Sequence, residues 1–335
     1  MAKSIEDLIT DNLLVLEDEV LDKEDEITYE YVLMLNTICE LVSDMFNRYG
    51  TKGKTQFILS YGDLKKKLTD KELKQFKKLI KGWKLNVTDD TYYNKLDNLL
   101  DRKSITRLDY FDLKVEYELE QVEEKKKEKF YDFLKLVYIN EFYNLFYVLA
   151  KTSGVKVNPP ELTQDVDALV RKCWDEVSIA TSFKYDREKT LKEINKAFQQ
   201  GTAAHREVKY INSQIEKRLA TSNNRGRVKL RTEANNCYNK ALKQVMKDMG
   251  IRQYRYSAIL DDRTTEICRS LNGNVYKLSE ARVGVNYPPM HHNCRSSVVP
   301  TGIVKEVDEG VLITNWKDYI SNYAPDMKDK AEPKT

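Results

Sequence analysis

Apolar residues recur at helical spacing through the first two thirds of the chain. Ile5, Leu8, Ile9, Leu13 and Leu16 form one stripe, and Tyr31, Leu35, Ile38, Val42 and Met45 form another. Gly50 to Gly53 reads as a loop, and Gly62 beside Tyr61 as a further break. Thr69 followed by Glu72 is a capping-box pair that opens a basic amphipathic helix, running to about Lys81 and stopping at Gly82.

Ser104 to Thr152 contains no Gly or Pro. Leu113, Val115, Tyr117 and Leu119 alternate as a strand would. Leu108, Phe111, Val115, Leu119 and Val122 also fit a helical stripe, and no turn residues bound the alternation, so helix is the reading. No apolar residue occurs from Glu123 to Lys129, and the stripe resumes at Phe130, Leu134 and Val137. This pattern predicts one long helix, or two with a soft joint, packed at both ends and exposed between. Glu123 and Lys127 would pair across that solvated middle, and the whole would form a strut of roughly 70 Å.

Thr152 to Gly154 and then Asn158-Pro-Pro160 make the best domain boundary. Residues 161–220 read as helical again, with Trp174, Phe183, Ile194, Phe198, Val208 and Ile215 as core. Thr221 to Arg227 reads as a flexible basic loop leading into a helix from Val228 to Met249, with Gly250 as its stop. The pattern then changes. Tyr254, Tyr256, Ala258 and Leu260 suggest a strand, and Thr265 to Leu271 a short helix. Asn272-Gly273 makes a tight turn into a second strand at Val275-Tyr276, and Ser297 to Val299 suggests a third. The expected fold is mainly α with long helices and a small α+β C-terminal module. Its expected divisions are a helical N-terminal region (1–155), a helical middle (156–225), the module (226–303) and a partly disordered tail (304–335).

Charge sharpens this picture. The 335 residues carry 56 Lys+Arg and 53 Asp+Glu, a net charge of +3, with 41% hydrophobic residues. That apolar content excludes a mostly disordered chain, and no apolar run approaches the ~18 residues of a membrane span. Met1 to Asp7 lacks the pattern of a secretory signal, and five cysteines make no disulfide framework, which suits a reducing compartment. The near-neutral total hides two opposite blocks. Residues 1–30 have two basic and eleven acidic side chains (−9), whereas residues 201–256 have thirteen basic and four acidic (+9). The acidic arm could dock on a basic protein surface. In the basic stretch Arg225, Arg227 and Lys229, in or just after the expected mobile loop, could hold DNA phosphates without sequence preference.

Three clusters carry candidate chemistry. On the helix after residue 228, Arg231 and Glu233 lie on opposite rims of the stripe Leu230, Ala234, Cys237, Ala241 and Val245, from where each could grip a neighbouring element. Asp261, Asp262, Arg263 and Thr264 lie at a strand-to-helix junction, where an Asp or Thr can cap. Asn286 to Ser296 is a Pro-rich turn. Cys268, His291 and Cys294 are zinc-ligand types, with a fourth ligand to come from His292, Asp261, Asp262 or water. The alternative is a buried knot in which the cysteines pack and His291 hydrogen-bonds a backbone group. Cys39, Cys173 and Cys237 read as core, and His205 as a surface or capping residue.

The ordered set Arg231-Thr-Glu233, Leu260-Asp-Asp-Arg-Thr264, Cys268, Asn272-Gly-Asn-Val-Tyr276, Gly284 to His291 and Asn293-Cys-Arg295 resembles the Mu F-like phage head-morphogenesis family over roughly residues 225–301. The resemblance makes Arg231, Glu233, Asp261, Asp262, Arg263, Thr264, Gly273, Pro289, Asn293 and Arg295 a structural signature rather than a catalytic one. Family members commonly have Pro at the His292 position and Cys at Ser296, and many have Cys at Thr265. Two potential metal ligands are therefore missing here. The resemblance implies a minor capsid protein present in few copies at the portal vertex, assembled in the host cytoplasm. Its partners would be portal, scaffold or major capsid protein and double-stranded DNA, with which it could be ejected; no membrane is implied. Catalysis is not expected. The alternative is a metal-dependent nuclease or other hydrolase built on His291 and His292 beside the cysteines.

Overall fold

The computed structural model describes residues 4–53, 57–87, 89–153, 162 and 164–301. The order is α1 (Ile5–Tyr49), β1 (Thr51–Lys52), β2 (Phe57–Ile58), α2 (Tyr61–Leu64), α3 (Asp70–Trp83), α4 (Asp90–Leu100) and α5 (Arg107–Ser153). There follow α6 (Val166–Val170), α7 (Ile179–Ala203), α8 (Val208–Asp248), β3 (Gln253–Ser257), α9 (Glu266–Leu271), β4 (Val275–Lys277) and β5 (Ser297–Pro300). The fold is mainly α with long helices and a small C-terminal sheet, as the periodicity predicts. No helix among the described residues is long and apolar enough to cross a membrane.

The chain forms two units that alternate along the sequence. The first draws on Met1–Glu26, Glu128–Ala180 and the chain from Arg225; the second on Ile27–Lys127 and Thr181–Asn224. The long helices α1, α5 and α8 therefore each contribute to both units, and residues 225 and 226 lie within α8. The expected boundary at Asn158 to Pro160 and the tail 304–335 lie outside the described residues.

In the second unit the local signals are mostly obeyed. Thr69 and Glu72 form the reciprocal capping box of α3, satisfying two of the orphan amides at its start. Gly82 falls inside that helix, which ends at Trp83. Gly62 likewise sits inside α2, because Ser60 and Asp63 cap that single turn in the same reciprocal way. The Gly50–Gly53 loop contains β1, which pairs antiparallel with β2.

Two expectations for this unit are overturned, both by tertiary partners. Residues 221–227 are not a loop; they lie inside α8. Ser, Thr and Asn favour turns because their side chains compete for the local backbone. Here two of those side chains are engaged elsewhere: Ser222 Oγ donates to Asp186 Oδ2 (2.9 Å), and Asn223 Nδ2 to Thr28 Oγ1 (3.0 Å). Thr221 Oγ1 donates to Lys217 O within the helix (2.9 Å). The competition removed, the helix continues.

The polar middle of α5 is not an exposed strut. Glu120, Glu123 and Lys126 are buried. Arg187 on α7 pairs with Glu120 and with Glu123 (3.3 Å), while Lys126 Nζ donates to Tyr31 Oη (2.7 Å) above the Tyr31 ring. The expected Glu123–Lys127 pair is replaced by Lys127 with Glu124 (2.5 Å). An apolar gap in a helical stripe thus marks an interior ion-pair layer, paired because buried charge is costly otherwise.

In the first unit the start of α1 buries Leu8, Ile9, Leu13, Leu16 and Val20, at roughly 1.5–3 kcal/mol per fully buried aliphatic side chain. The sheet is antiparallel in the order β4-β3-β5, with Tyr254 opposite Tyr276 on one side and Pro300 on the other. Each expected strand and the short helix of this module are present within two or three residues of their expected ends. Gly273 takes φ +84° in the turn before β4, a conformation that costs glycine little.

Burial also shapes charge here. Glu141 is pushed up to about 8, first by burial and then by the charge of Glu19, against a hydrogen bond from Asn144. A carboxyl whose folded pKa is raised stabilises least when ionised, so its contribution falls as pH rises from about 4.5 to about 8.

Two outcomes follow for stability. Glu141→Gln should flatten the pH dependence of unfolding free energy across that window and stabilise the chain at pH 8 by roughly 2–4 kcal/mol, read from urea denaturation at stepped pH. Arg187→Ala leaves Glu120 and Glu123 buried without their cation and should cost about 3–5 kcal/mol; a loss below about 1 kcal/mol would show that the layer is solvated.

Candidate functional site

The signature residues converge in the first unit, around α8. Arg231 and Glu233 project in opposite directions, as their spacing implies. Arg231 reaches α1, where its Nε and Nη2 meet Glu24 Oε1 (2.5 Å) and Oε2 (2.7 Å). Arg227, one turn earlier, donates Nε to Glu24 Oε2 (2.8 Å). Glu24 has no exposed surface. Glu233 is also buried and accepts the backbone N–H of Trp174 (3.0 Å) and the amide of Asn236 (2.9 Å). Burial raises its pKa against those two hydrogen bonds.

The junction after β3 is built on Asp261. Its carboxylate accepts Arg295 Nη2 (2.5 Å) and the Arg263 backbone N–H (2.9 Å), and its own N–H donates to Thr264 Oγ1 (2.8 Å). Led by the Arg295 hydrogen bond, these contacts hold the Asp261 carboxyl far below the usual range. Arg295 also faces Glu17 on α1 (3.6 Å), and Arg263 lies 3.9 Å from the same carboxylate. Asp262 is exposed, with no hydrogen bond among the described residues. Asp261 and Thr264 therefore act as local staples, and Arg263, which capping does not explain, faces α1.

The Pro-rich turn carries the third cluster. Pro289 follows a cis peptide bond and its carbonyl accepts the N–H of Gly284 (3.1 Å), which has φ +77°. Asn293 takes φ +59°, and its N–H donates to Thr232 Oγ1 on α8 (3.0 Å). The turn closes with Cys294 N–H on His291 O (3.2 Å).

That closure aims His291 at Cys268 on α9. His291 Nε2 lies 3.2 Å from Cys268 Sγ and 2.8 Å from Thr265 Oγ1, and the two sulfurs are 3.9 Å apart. Cys268 and Cys294 share a buried cluster with Tyr256 and Met290. The Cys294 hydrogen bond, helped by nearby hydroxyls, pulls the Cys268 thiol down in pKa. Donating that bond, together with burial, pushes Cys294 up. The three ligand-type atoms lie within 4.8 Å of one another. None of the expected protein fourth ligands joins that group: Asp261 is held by Arg295, Asp262 faces solvent, and His292 packs edge-on to Trp174. Thr265 stands there instead.

A cavity of about 410 Å³ adjoins this cluster, between Leu13, Leu16 and Val20 of α1 on one side and His291, Arg295 and Arg263 on the other.

The structure places Arg225, Arg227 and Lys229 on α8 rather than in a mobile loop, with Arg227 committed to Glu24. The acidic arm is likewise a packed helix. Glu6, Glu17 and Glu24 meet Arg255, Arg263 and Arg295, and Arg227 and Arg231, respectively, so part of each charge block (Glu6 and Glu24; Arg227, Arg231 and Arg255) pairs within one unit. Cys173 and Cys237 are buried, Cys39 is half-buried, and His205 is exposed at φ +52°.

Sequence reasoning missed an amide ladder. Asn235 Nδ2 donates to Ser296 O (3.0 Å), and Asn239 Oδ1 accepts from Ser297 Oγ (3.1 Å). Tyr287 Oη donates to Asn239 O (2.7 Å). Two asparagines at i,i+4 on the apolar face of a helix were the available signal, since buried amides require partners.

Residues 190–299 match the model of the family described as Phage Mu protein F like protein. No curated protein and no solved structure matches the chain. The match covers the last part of α7, all of α8 and the module up to β5.

Glu24→Ala should cost about 2–3 kcal/mol, because it removes the one acceptor shared by Arg227 and Arg231. Arg227→Ala and Arg231→Ala should each cost less than Glu24→Ala, since the other arginine remains. Thermal and urea unfolding of the three variants would check that order; equal losses in all three would contradict it.

Proposed function

We propose that this chain is a phage minor head protein, acting in head morphogenesis in association with the portal vertex and present in few copies. The observation that carries the reading is the Mu F-like match over residues 190–299, whose signature residues converge around α8. In this reading the protein is made in the host cytoplasm and assembled into the virion with the portal, scaffold or major capsid protein. Its role is structural. Asp261, Arg295, Glu24 and Arg231 spend their charges on one another, which fits a scaffold better than an acid–base site.

Docking on a basic partner falls to the outer face of α1, where Asp18, Asp22 and Asp25 are exposed beside Leu14 and Leu21. DNA contact, and ejection with the DNA, form a second reading, favoured by the +9 charge of residues 201–256. Arg227, Arg231 and Arg255 of that stretch are engaged by Glu24 and Glu6, which weakens the field available to phosphates. A metal-dependent hydrolase at His291 is the competing assignment.

Mass spectrometry and cryo-electron microscopy of purified heads test the main reading. The expected result is the chain at low copy number beside the portal; its absence from heads at every stage of assembly would sink the proposal. Asp18/Asp22/Asp25→Lys should reduce incorporation without unfolding the chain. For DNA, the expected result is weak duplex binding that falls with salt and weakens further in Arg225/Lys229→Ala. Cleavage of DNA with added divalent ions, abolished by His291→Ala, would favour the hydrolase.

A further inference from the structure

We propose that Cys268, His291 and Cys294 bind a zinc ion, with a water beside Thr265 completing the coordination. The inference does not depend on a role in the phage head.

The first support is spacing. A tetrahedral zinc with Zn–S of about 2.3 Å and Zn–N of about 2.0–2.1 Å needs ligand atoms roughly 3.5–3.8 Å apart. Cys268 Sγ and Cys294 Sγ are 3.9 Å apart, Cys268 Sγ and His291 Nε2 are 3.2 Å apart, and all three atoms lie within 4.8 Å. The two sulfurs already stand at this spacing, and His291 meets it by closing on Cys294 by up to about 1.2 Å. A disulfide would instead need the sulfurs to close to about 2.05 Å.

The second support is the histidine tautomer. His291 Nδ1 lies 2.7 Å from the backbone carbonyl of His292. A carbonyl can only accept, so Nδ1 carries the proton, and the neutral ring presents the lone pair of Nε2 to the sulfurs. That is the outer contact a zinc-bound histidine requires.

The third support is the shell around the ligands. Tyr256 Oη donates to Cys268 Sγ (3.4 Å), as hydroxyls do to metal-bound thiolates, and Tyr256 is itself fully buried. The 291–294 turn is pinned to α8 by Asn293 N–H on Thr232 Oγ1, so two of the three ligands arrive on a fixed backbone. Cys268 comes from α9, six residues long, of which it is the one buried residue. An ion there cross-links α9 to the turn in a module whose strands are only three to five residues long. Two thiolates and an imidazole favour zinc over the hard cations.

The water position lies where Thr265, His291 and Cys294 all line the 410 Å³ cavity, so it is reached from that side. Thr265 Oγ1, 2.8 Å from His291 Nε2, is placed to hydrogen-bond it.

The test uses the full chain, purified under reducing conditions from zinc-supplemented cells. Elemental mass spectrometry should find close to one zinc per chain. Replacement by Co(II) should give intense visible bands and a near-ultraviolet thiolate charge-transfer band. Cys268→Ser and Cys294→Ser should each lose the charge-transfer intensity of one thiolate and weaken metal affinity at least tenfold, while Cys237→Ser, buried elsewhere on α8, should change neither. Should the serine variants misfold, the cobalt spectrum of the unaltered chain decides alone. Sub-stoichiometric zinc and no charge-transfer band in a helical, reduced protein would overturn the proposal. So would full zinc retention in the folded double serine variant, or a Cys268–Cys294 disulfide with no metal in freshly isolated chain.

Discussion

A carboxylate with no exposed surface needs partners to replace its lost hydration, and Glu24 finds them in Arg227 and Arg231, one turn apart on α8. The desolvation of a buried carboxylate is costly, so the contact is stable only while both helices hold their relative rotation. The two arginine side chains are near 40% exposed, which leaves part of their hydration in place and makes the arrangement less costly than a fully buried pair. With α1 and α8 in register, Glu17 falls opposite Arg295 and Arg263, and Glu6 opposite Arg255. Part of each charge block, Glu6 and Glu24 on one side and Arg227, Arg231 and Arg255 on the other, therefore meets within the first unit.

Much of the fold was legible because its signals are local. The reciprocal cap at Thr69 and Glu72 needs only residues three apart, and the Asn272-Gly273 turn needs only a glycine at positive φ. The expectations that failed depend on distant partners. Thr221 to Arg227 has the composition of a loop, and becomes helix because Asp186 and Thr28, from other elements, engage Ser222 and Asn223. Glu120, Glu123 and Lys126 have the composition of a solvated face, and become interior because Arg187 and Tyr31 meet them. Neither residue pattern differs locally from its solvated counterpart; the difference is the partner.

The site divides in the same way. Cys268, His291 and Cys294 were legible as ligand types, and the turn does bring them together. Their expected fourth partners were not, because Asp261 is engaged by Arg295, which lies 34 residues away. Arg231 and Glu233 were legible as opposed rims of one helix, but not what each would grip. The amide ladder of Asn235 and Asn239 went unseen because polar residues on an apolar stripe look like interruptions until β5 is laid beside them.

The limits of the family match carry a structural consequence. The matched segment, residues 190–299, contains Arg227, Arg231, Arg255, Arg263 and Arg295, yet every acidic α1 partner of those arginines lies outside it. Among the described residues of the segment only Asp261 answers them, beside Arg263 and Arg295, and Arg227, Arg231 and Arg255 take their carboxylates from α1. From Arg225 onward the matched segment belongs to a unit completed by Met1–Glu26 and Glu128–Ala180, both outside the match. The signature arginines are explained by what they hold, which is a helix that the family resemblance does not include.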